Sequence, residues 1–324
     1  MTICSRTTCS SFLLSKLGFS LLGAAMVWSV LPSPSAAQVL VPGYASEAGS
    51  TRGPAFPDTM ETARGMAMGL GARASATSTS GLAYNAAGLS IGRLYHVESA
   101  AVYRPQPGTF STNAALIDSY SGPINMGVSF RYAHGNGDEG HGGFDGRVAL
   151  GLPLGEYFAI GATGRYVTYW REGQEGADPF AEGITLDGSI RISPLPGFHI
   201  ALLGYNLIDL GSPLAPMQVG GSVSYTIDST FTLAIDGLAD LGTWSEPNGD
   251  IRPEALLGAA AELFTGEVPI RAGWAFDTGR DAHFVTGGVG WMNDEVGIDI
   301  AVRQQVTGAE LNTWLLASVR YTVH

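Results

Sequence analysis

From Leu94 onward, hydrophobic and polar positions alternate with a period of two in runs of roughly ten to twelve residues, each closed by Gly, Pro, Asn or Asp. In the third run Ile124, Met126, Val128, Phe130 and Tyr132 form one face, and Asn125, Gly127, Ser129 and Arg131 the other. The sixth sets Ile184, Leu186, Gly188, Ile190 and Ile192 against Thr185, Asp187, Ser189 and Arg191. The eleventh and thirteenth repeat the scheme, with Arg271 and Asp277, then Asp299 and Arg303, on the polar side. The pattern predicts fourteen strands, near 94–104, 109–118, 123–133, 144–153, 156–170, 184–193, 198–208, 217–227, 229–240, 254–265, 267–277, 282–292, 294–304 and 312–323. Their connections alternate between tight turns (Gly155 with Glu156, Asp228 with Ser229, Gly266 with Glu267, Asn293 with Asp294) and longer loops at 135–143, 171–183 and 241–253.

Alternation does not say which face meets water, because a soluble sandwich alternates too. Four features favour a transmembrane antiparallel β-barrel. Strand lengths cluster near the roughly 9 to 11 residues that a tilted strand needs to cross a bilayer. The strand count is even, and aromatics recur at strand ends (Tyr103, Tyr132, Tyr157, Tyr166, Trp170, Tyr225, Trp274, Trp291, Trp314, Tyr321), as interfacial girdles would. Residues 1–37 read as a secretory signal peptide: Arg6 and Lys16 precede apolar Leu17–Leu31, then come Pro32, Pro34 and the small residues Ser35, Ala36 and Ala37, with cleavage expected after Ala37. Residues 38–92 form a leader and plug segment, loop-like to 58 with a short helix within 59–73, and residues 93–324 form the barrel.

Composition narrows the chemistry. Cys4 and Cys9 lie in the signal, so the mature chain has no thiol for disulfides, nucleophilic catalysis or metal ligation. Its basic residues, all arginine, are outnumbered by 29 Asp and Glu, and no basic run exists to bind nucleic acid. The 45 glycines, spread through the chain, oppose long helices.

Ala63–Ser90 (ARGMAMGLGARASATSTSGLAYNAAGLS) resembles the N-terminal signature of the FadL-like and PorV/PorQ-like outer-membrane proteins, in which a small-residue Arg-Gly-Met run leads to a Tyr-Asn-Pro-Ala-Gly-Leu element. Tyr205–Tyr225 and Leu257–Asp277 look like barrel segments of the same group. The resemblance implies a fourteen-stranded outer-membrane barrel with its N-terminal segment folded into the lumen as a plug. It further implies passive transport of hydrophobic or amphipathic molecules or, alternatively, a non-transporting barrel serving envelope protein secretion. Tyr84, Asn85, Ala86, Ala87, Gly88 and Leu89 are the plug or gating element by this likeness; Ala86 stands where the family has Pro, which frees φ there.

Projecting the alternation places Arg131, Asp145, Arg147, Arg165, Asp187, Arg191, Asp236, Arg271, Asp277, Asp299, Arg303 and Arg320 in the lumen, since Arg facing lipid at mid-depth costs about 2 to 4 kcal/mol. A mutually paired network bracing lumen and plug is favoured over a charged permeation path. Catalysis is not expected: His96 and Ser99 fall on opposite strand faces. The remaining histidines form no triad or metal spacing, and no cofactor or metal is expected. Acidic Asp138, Glu139, Glu172, Glu175, Asp178, Glu182, Glu246 and Asp250 line the long loops as a solvated rim that could meet lipopolysaccharide. The last strand, ending at His324, partly matches a barrel-assembly recognition strand. The expected partners are outer-membrane lipid, lipopolysaccharide, the assembly machinery and a hydrophobic small molecule.

Overall fold

Fourteen antiparallel strands pair in sequence order and the last returns to the first, closing the sheet. The computed structural model describes residues 60–105, 108–135, 141–171, 181–210, 215–241, 254–307 and 312–323. The signal peptide, the leader to residue 59 and most long-loop acidic residues, all but Glu182, lie outside the described residues. The strands are β1 Tyr95–Arg104, β2 Thr109–Asp118, β3 Asn125–Gly135, β4 His141–Leu154, β5 Phe158–Arg171, β6 Ala181–Leu195, β7 Phe198–Tyr205, β8 Gln218–Ile227, β9 Phe231–Asp240, β10 Glu254–Thr265, β11 Val268–Asp277, β12 Ala282–Met292, β13 Val296–Gln305 and β14 Thr313–Val323. Closure runs from Tyr95 opposite Val323 to Tyr103 opposite Leu315. The wider connections gather on the rim that joins β3 to β4, β5 to β6, β7 to β8 and β9 to β10. The other rim carries the short turns, the periplasmic arrangement in outer-membrane barrels.

The exterior is apolar. Val128, Phe130, Val148, Ile190, Ile235, Ile300 and Val319 are all more than 40% exposed, Ile235 reaching 68%. An encircling belt of this kind is a lipid contact, because water would leave it unsatisfied and soluble monomers avoid large contiguous apolar patches. Tyr103, Tyr132, Tyr166 and Trp274 near one rim, with Tyr157, Tyr225, Trp291 and Tyr321 near the other, frame the belt as exposed girdles. Trp314 is a correction to that set. It lies on the lumen face of β14, buried edge-on against Phe284 with ring centroids 5.9 Å apart, and the guanidinium of Arg104 sits 5.1 Å from its ring centre.

Several strand limits differ from those expected, most tellingly around β6 and β7. β6 extends past its expected limits on both sides, and β7 ends at Tyr205 rather than 208. Asn206 adopts a positive φ of 50°, which breaks the extended run. The chain then folds beside β6, with the Leu207 N–H donating to Leu186 O and the Thr185 hydroxyl to Ile208 O. Register between β6 and β7 runs from Gly188–Gly204 to Ile192–Ile200, so the long-loop half of β6 is edged by this segment instead of a strand.

Inside the barrel lies the N-terminal segment. α1 (Ala63–Ala67) is capped by Thr62, whose hydroxyl accepts from the Gly65 N–H. A 3₁₀ turn follows at Arg73–Ser75, then α2 (Ser78–Tyr84) and a second 3₁₀ turn at Ala86–Ser90. The expected helix within 59–73 is thus only five residues long, while α2 was not anticipated. Ala, Gly, Ser and Thr in α2 carry no 3.6-residue apolar stripe; burial within the lumen holds it helical.

Candidate functional site: the lumen and its inner segment

The inner segment is fastened to the wall around nearly the whole circumference. The Ala72 and Arg73 N–H groups donate to Asp236 on β9 at 3.0 and 2.9 Å, and the Ala74 N–H donates to Ser222 on β8 at 2.8 Å. Ala87 N–H reaches Ser189 on β6 at 3.0 Å, Arg147 on β4 donates to Ala83 O at 2.9 Å, and Thr286 on β12 both receives from Gly69 N–H and donates to Ala67 O. Lumen-facing glycines make the close approach feasible. A Cβ on Gly161 would sit 2.1 Å from Ala87 N, and one on Gly273 2.4 Å from Gly69 N. Gly151, Gly161, Gly258 and Gly273 are therefore a seat for this backbone.

The element Tyr84–Leu89 is central to the packing. Asn85 donates to Arg73 O at 2.9 Å, Gly88 leaves room for Ala76 O, 2.0 Å from where a Cβ would lie, and Leu89 is buried against Gly81. Ala86 opens the second 3₁₀ turn with its carbonyl against Gly151. The Tyr205 hydroxyl donates to Tyr84 O and accepts from Arg73 Nε at 2.9 Å, while the Arg73 guanidinium lies 5.5 Å from the Tyr84 ring centre. Burial and nearby Glu61 push the Tyr84 phenol up to about 12. Burial disfavours the Arg73 cation, but Tyr205 and Asp236 outweigh it and raise its pKa.

Eleven of the twelve charges projected inward are buried on the wall, and Arg320 is half-buried. They form separate clusters rather than one network. Asp145 binds Arg147 at 2.7 Å and Arg165 at 2.8 Å, with Asp187 3.7 Å from Arg165 and Arg131 opposite Asp145 in register. Arg271 joins Asp299 at 2.5 Å and Glu262 at 2.7 Å, and Arg303 holds Glu61 at 2.7 Å. Asp236 takes backbone N–H groups instead of an arginine, Asp277 pairs within its own turn with Arg280, and Arg191 makes no ion pair among the described residues. Sequence reasoning missed the buried charges Arg73, Glu98 and Glu262 and the half-buried Glu61 and Arg64. Glu262 was legible from its parity with Ala260 and Gly258 on β10. Arg64, which reaches it at 2.7 Å, was not, because the inner segment has no alternation to project.

The lumen is not uniformly polar. Toward the long-loop rim Val102, Leu238, Leu256, Phe284, Trp314 and Leu316 form a continuous apolar cluster with Leu70 of the inner segment. At its foot a cavity of about 70 Å³ is lined by Leu70, Tyr84, Tyr205, Leu238 and Leu256 on one side and by Arg73, Arg147, Arg165 and Asp187 on the other. That is far smaller than the roughly 300 to 1,000 Å³ of a ligand pocket. His96 bonds the Ser78 and Thr79 hydroxyls of α2 at 2.8 and 3.0 Å, whereas Ser99 donates to Asn113 O, so the two remain apart as their spacing requires.

The sequence matches no protein-family profile and no curated protein. Solved structures do match. The toluene transporter TbuX of Ralstonia pickettii aligns over 82% of this chain and 98% of its own, with 14% identity and a TM-score of 0.58. The toluene transporter TodX of Pseudomonas putida aligns over 83% and 99%, with 11% identity and a TM-score of 0.60. A FadL homologue of Pseudomonas aeruginosa aligns over 82% and 99%, with 12% identity and a TM-score of 0.58. The fold is therefore that of FadL-like outer-membrane barrels, in keeping with the apolar exterior and the paired rims of aromatics.

Proposed function

We propose that this barrel is a passive passage for small hydrophobic or amphipathic molecules across the outer membrane. The observation that carries the reading is the apolar wall of Val102, Leu238, Leu256, Phe284, Trp314 and Leu316, which descends from the long-loop rim to the cavity at Tyr84 and Tyr205. A wall for hydrated solutes would be polar along its length; this one offers a desolvated surface, then two phenols and a set of paired charges. Two of the solved neighbours, TbuX and TodX, are toluene transporters, which supports the same substrate class. In this scheme a molecule settles on the apolar wall, the inner segment shifts about Tyr84–Leu89, and diffusion does the rest with no covalent step, cofactor or energy source in this chain.

The small cavity favours a second reading, a structural barrel that serves envelope protein secretion and presents its long loops to a partner. The two separate in one experiment. Liposomes containing the purified barrel should take up labelled toluene and a labelled fatty acid faster than empty liposomes, and Leu256→Asp in the apolar wall should slow both. Absence of uptake together with a stably co-purifying envelope partner would replace the passage with the partner role.

A further inference from the structure

We propose that Arg191, with Ser224 and His199, forms a carboxylate-binding site on the lumen wall, just to the short-turn side of the inner segment. Arg191 sits on the lumen face of β6 at 8% exposure. Its Nε and Nη1 are sealed from solvent, and among the described residues the guanidinium has no hydrogen bond or ion pair. Arginine cannot shed its proton to relieve this, and a buried charge without a partner is strongly unfavourable.

Four other wall arginines are answered: Arg147 and Arg165 by Asp145, Arg271 by Glu262 and Asp299, Arg303 by Glu61. The lumen-facing carboxylate nearest along β6, Asp187, is four residues away, about 13 Å, and already holds the Asn206 N–H at 2.8 Å. The missing counter-charge is therefore a ligand's.

The surroundings suit one. Arg191 is paired in register with Ala159 on β5 and Ala201 on β7, two small side chains that offer the guanidinium no polar partner. Ser224 on β8 lies opposite His199 on β7, one lumen-facing step nearer the rim. Its hydroxyl is buried with no partner. The His199 Nδ1 pairs with the Ser193 hydroxyl at 2.8 Å, which fixes the ring and leaves Nε2 open among the described residues. One fixed cation with neutral donors around it matches a singly charged oxyanion better than a phosphate dianion, and a guanidinium takes a carboxylate with two hydrogen bonds. Ser189, one step inward, carries the Ala87 N–H, so a molecule held here touches the underside of the inner segment.

The site stands whether or not the barrel conducts, and its ligand could be a free short carboxylate or the head of an amphipathic acid. The test is equilibrium binding to the barrel in nanodiscs of three labelled probes: acetate, octanoate and uncharged 1-octanol. Wild-type protein should bind carboxylate, and Arg191→Gln should weaken it about tenfold or more, the usual loss of a charge-assisted hydrogen bond, with octanol unaffected. Arg191→Lys should retain part of the affinity and Ser224→Ala should lose a few-fold, and these two keep the test alive should Arg191→Gln not fold. Equal, Arg191-dependent binding of acetate and octanoate identifies a free carboxylate site, and Arg191-dependent binding of octanoate alone identifies an amphiphile's head. Carboxylate binding unchanged in all three variants, or no binding of either acid, overturns the proposal.

Discussion

At the scale of single residues the lumen is governed by complementarity that a one-atom change can break. Gly161→Ala puts a methyl 2.1 Å from Ala87 N, so the 3₁₀ turn at Ala86–Ser90 has to lift off β5. Such overpacking costs about 1 to 3 kcal/mol, and the expected result is faster proteolysis of the inner segment in a barrel that still shows heat-modifiable gel mobility. Glu262→Ala removes the carboxylate shared by Arg64 and Arg271. Arg271 keeps Asp299 and Arg64 is only half-buried, so the lost charge-assisted bonds should destabilise by about 1.5 to 3 kcal/mol, read as an earlier urea midpoint. Tyr84 supplies a pH signature. Its phenol titrates near 12 in the fold against about 10 when unfolded. The neutral form is the one the fold accepts, so its contribution is intact below pH 10 and is lost as pH rises toward 12. Protease sensitivity of the inner segment should climb across that window, and the climb should be smaller in Tyr84→Phe. The inward charges themselves were legible from strand parity, but their partners were not: pairing depends on strand register and on an inner segment without periodicity.

At the scale of elements, alternation was sufficient because each strand separates lipid from lumen, and both solvents punish a one-residue slip. That is why β2, β10 and β12 coincide with their sequence limits, whereas β7 stops where Asn206 turns left-handed, a backbone event that Leu207 and Ile208 disguise by continuing an apolar run. α2 escaped for the converse reason, since its small residues favour neither period. The lipid-facing assignment is directly testable on β13. Ile300→Arg, opposite Val289 and Ala317 in mid-strand, should cost about 2 to 4 kcal/mol of folding stability in vesicles. Ala301→Ser, on the buried face, should cost clearly less, and equal losses would contradict the inside-out arrangement.

At the scale of the whole molecule, two populations of side chains share one lumen. The long-loop half offers apolar surface along β9–β14 and β1, while Asp145, Arg147, Arg165, Glu262 and Arg271 hold the level of the inner segment. This division was not visible in the sequence, where alternation marks a residue as inward without giving its depth or its position around the ring. It predicts that loosening the inner segment matters more than widening the mouth. In the liposome assay Gly161→Ala should raise toluene flux, and an unchanged flux in a variant with a demonstrably protease-sensitive segment would mean that the segment is not the barrier.

The seam between β1 and β14 also bears on biogenesis. It joins residues more than two hundred positions apart, from Tyr95 with Val323 to Tyr103 with Leu315, and β1 is the direct continuation of the segment already lodged within. Contacts so distant along the chain carry the largest loop-closure entropy and form late. With its backbone anchored to β4, β6, β8, β9 and β12, the segment is best installed while the sheet is still an open, curling ribbon. The inner segment is then a mandrel around which the sheet wraps, and variants that unseat it should accumulate as unclosed assembly intermediates before any defect in permeability can be measured.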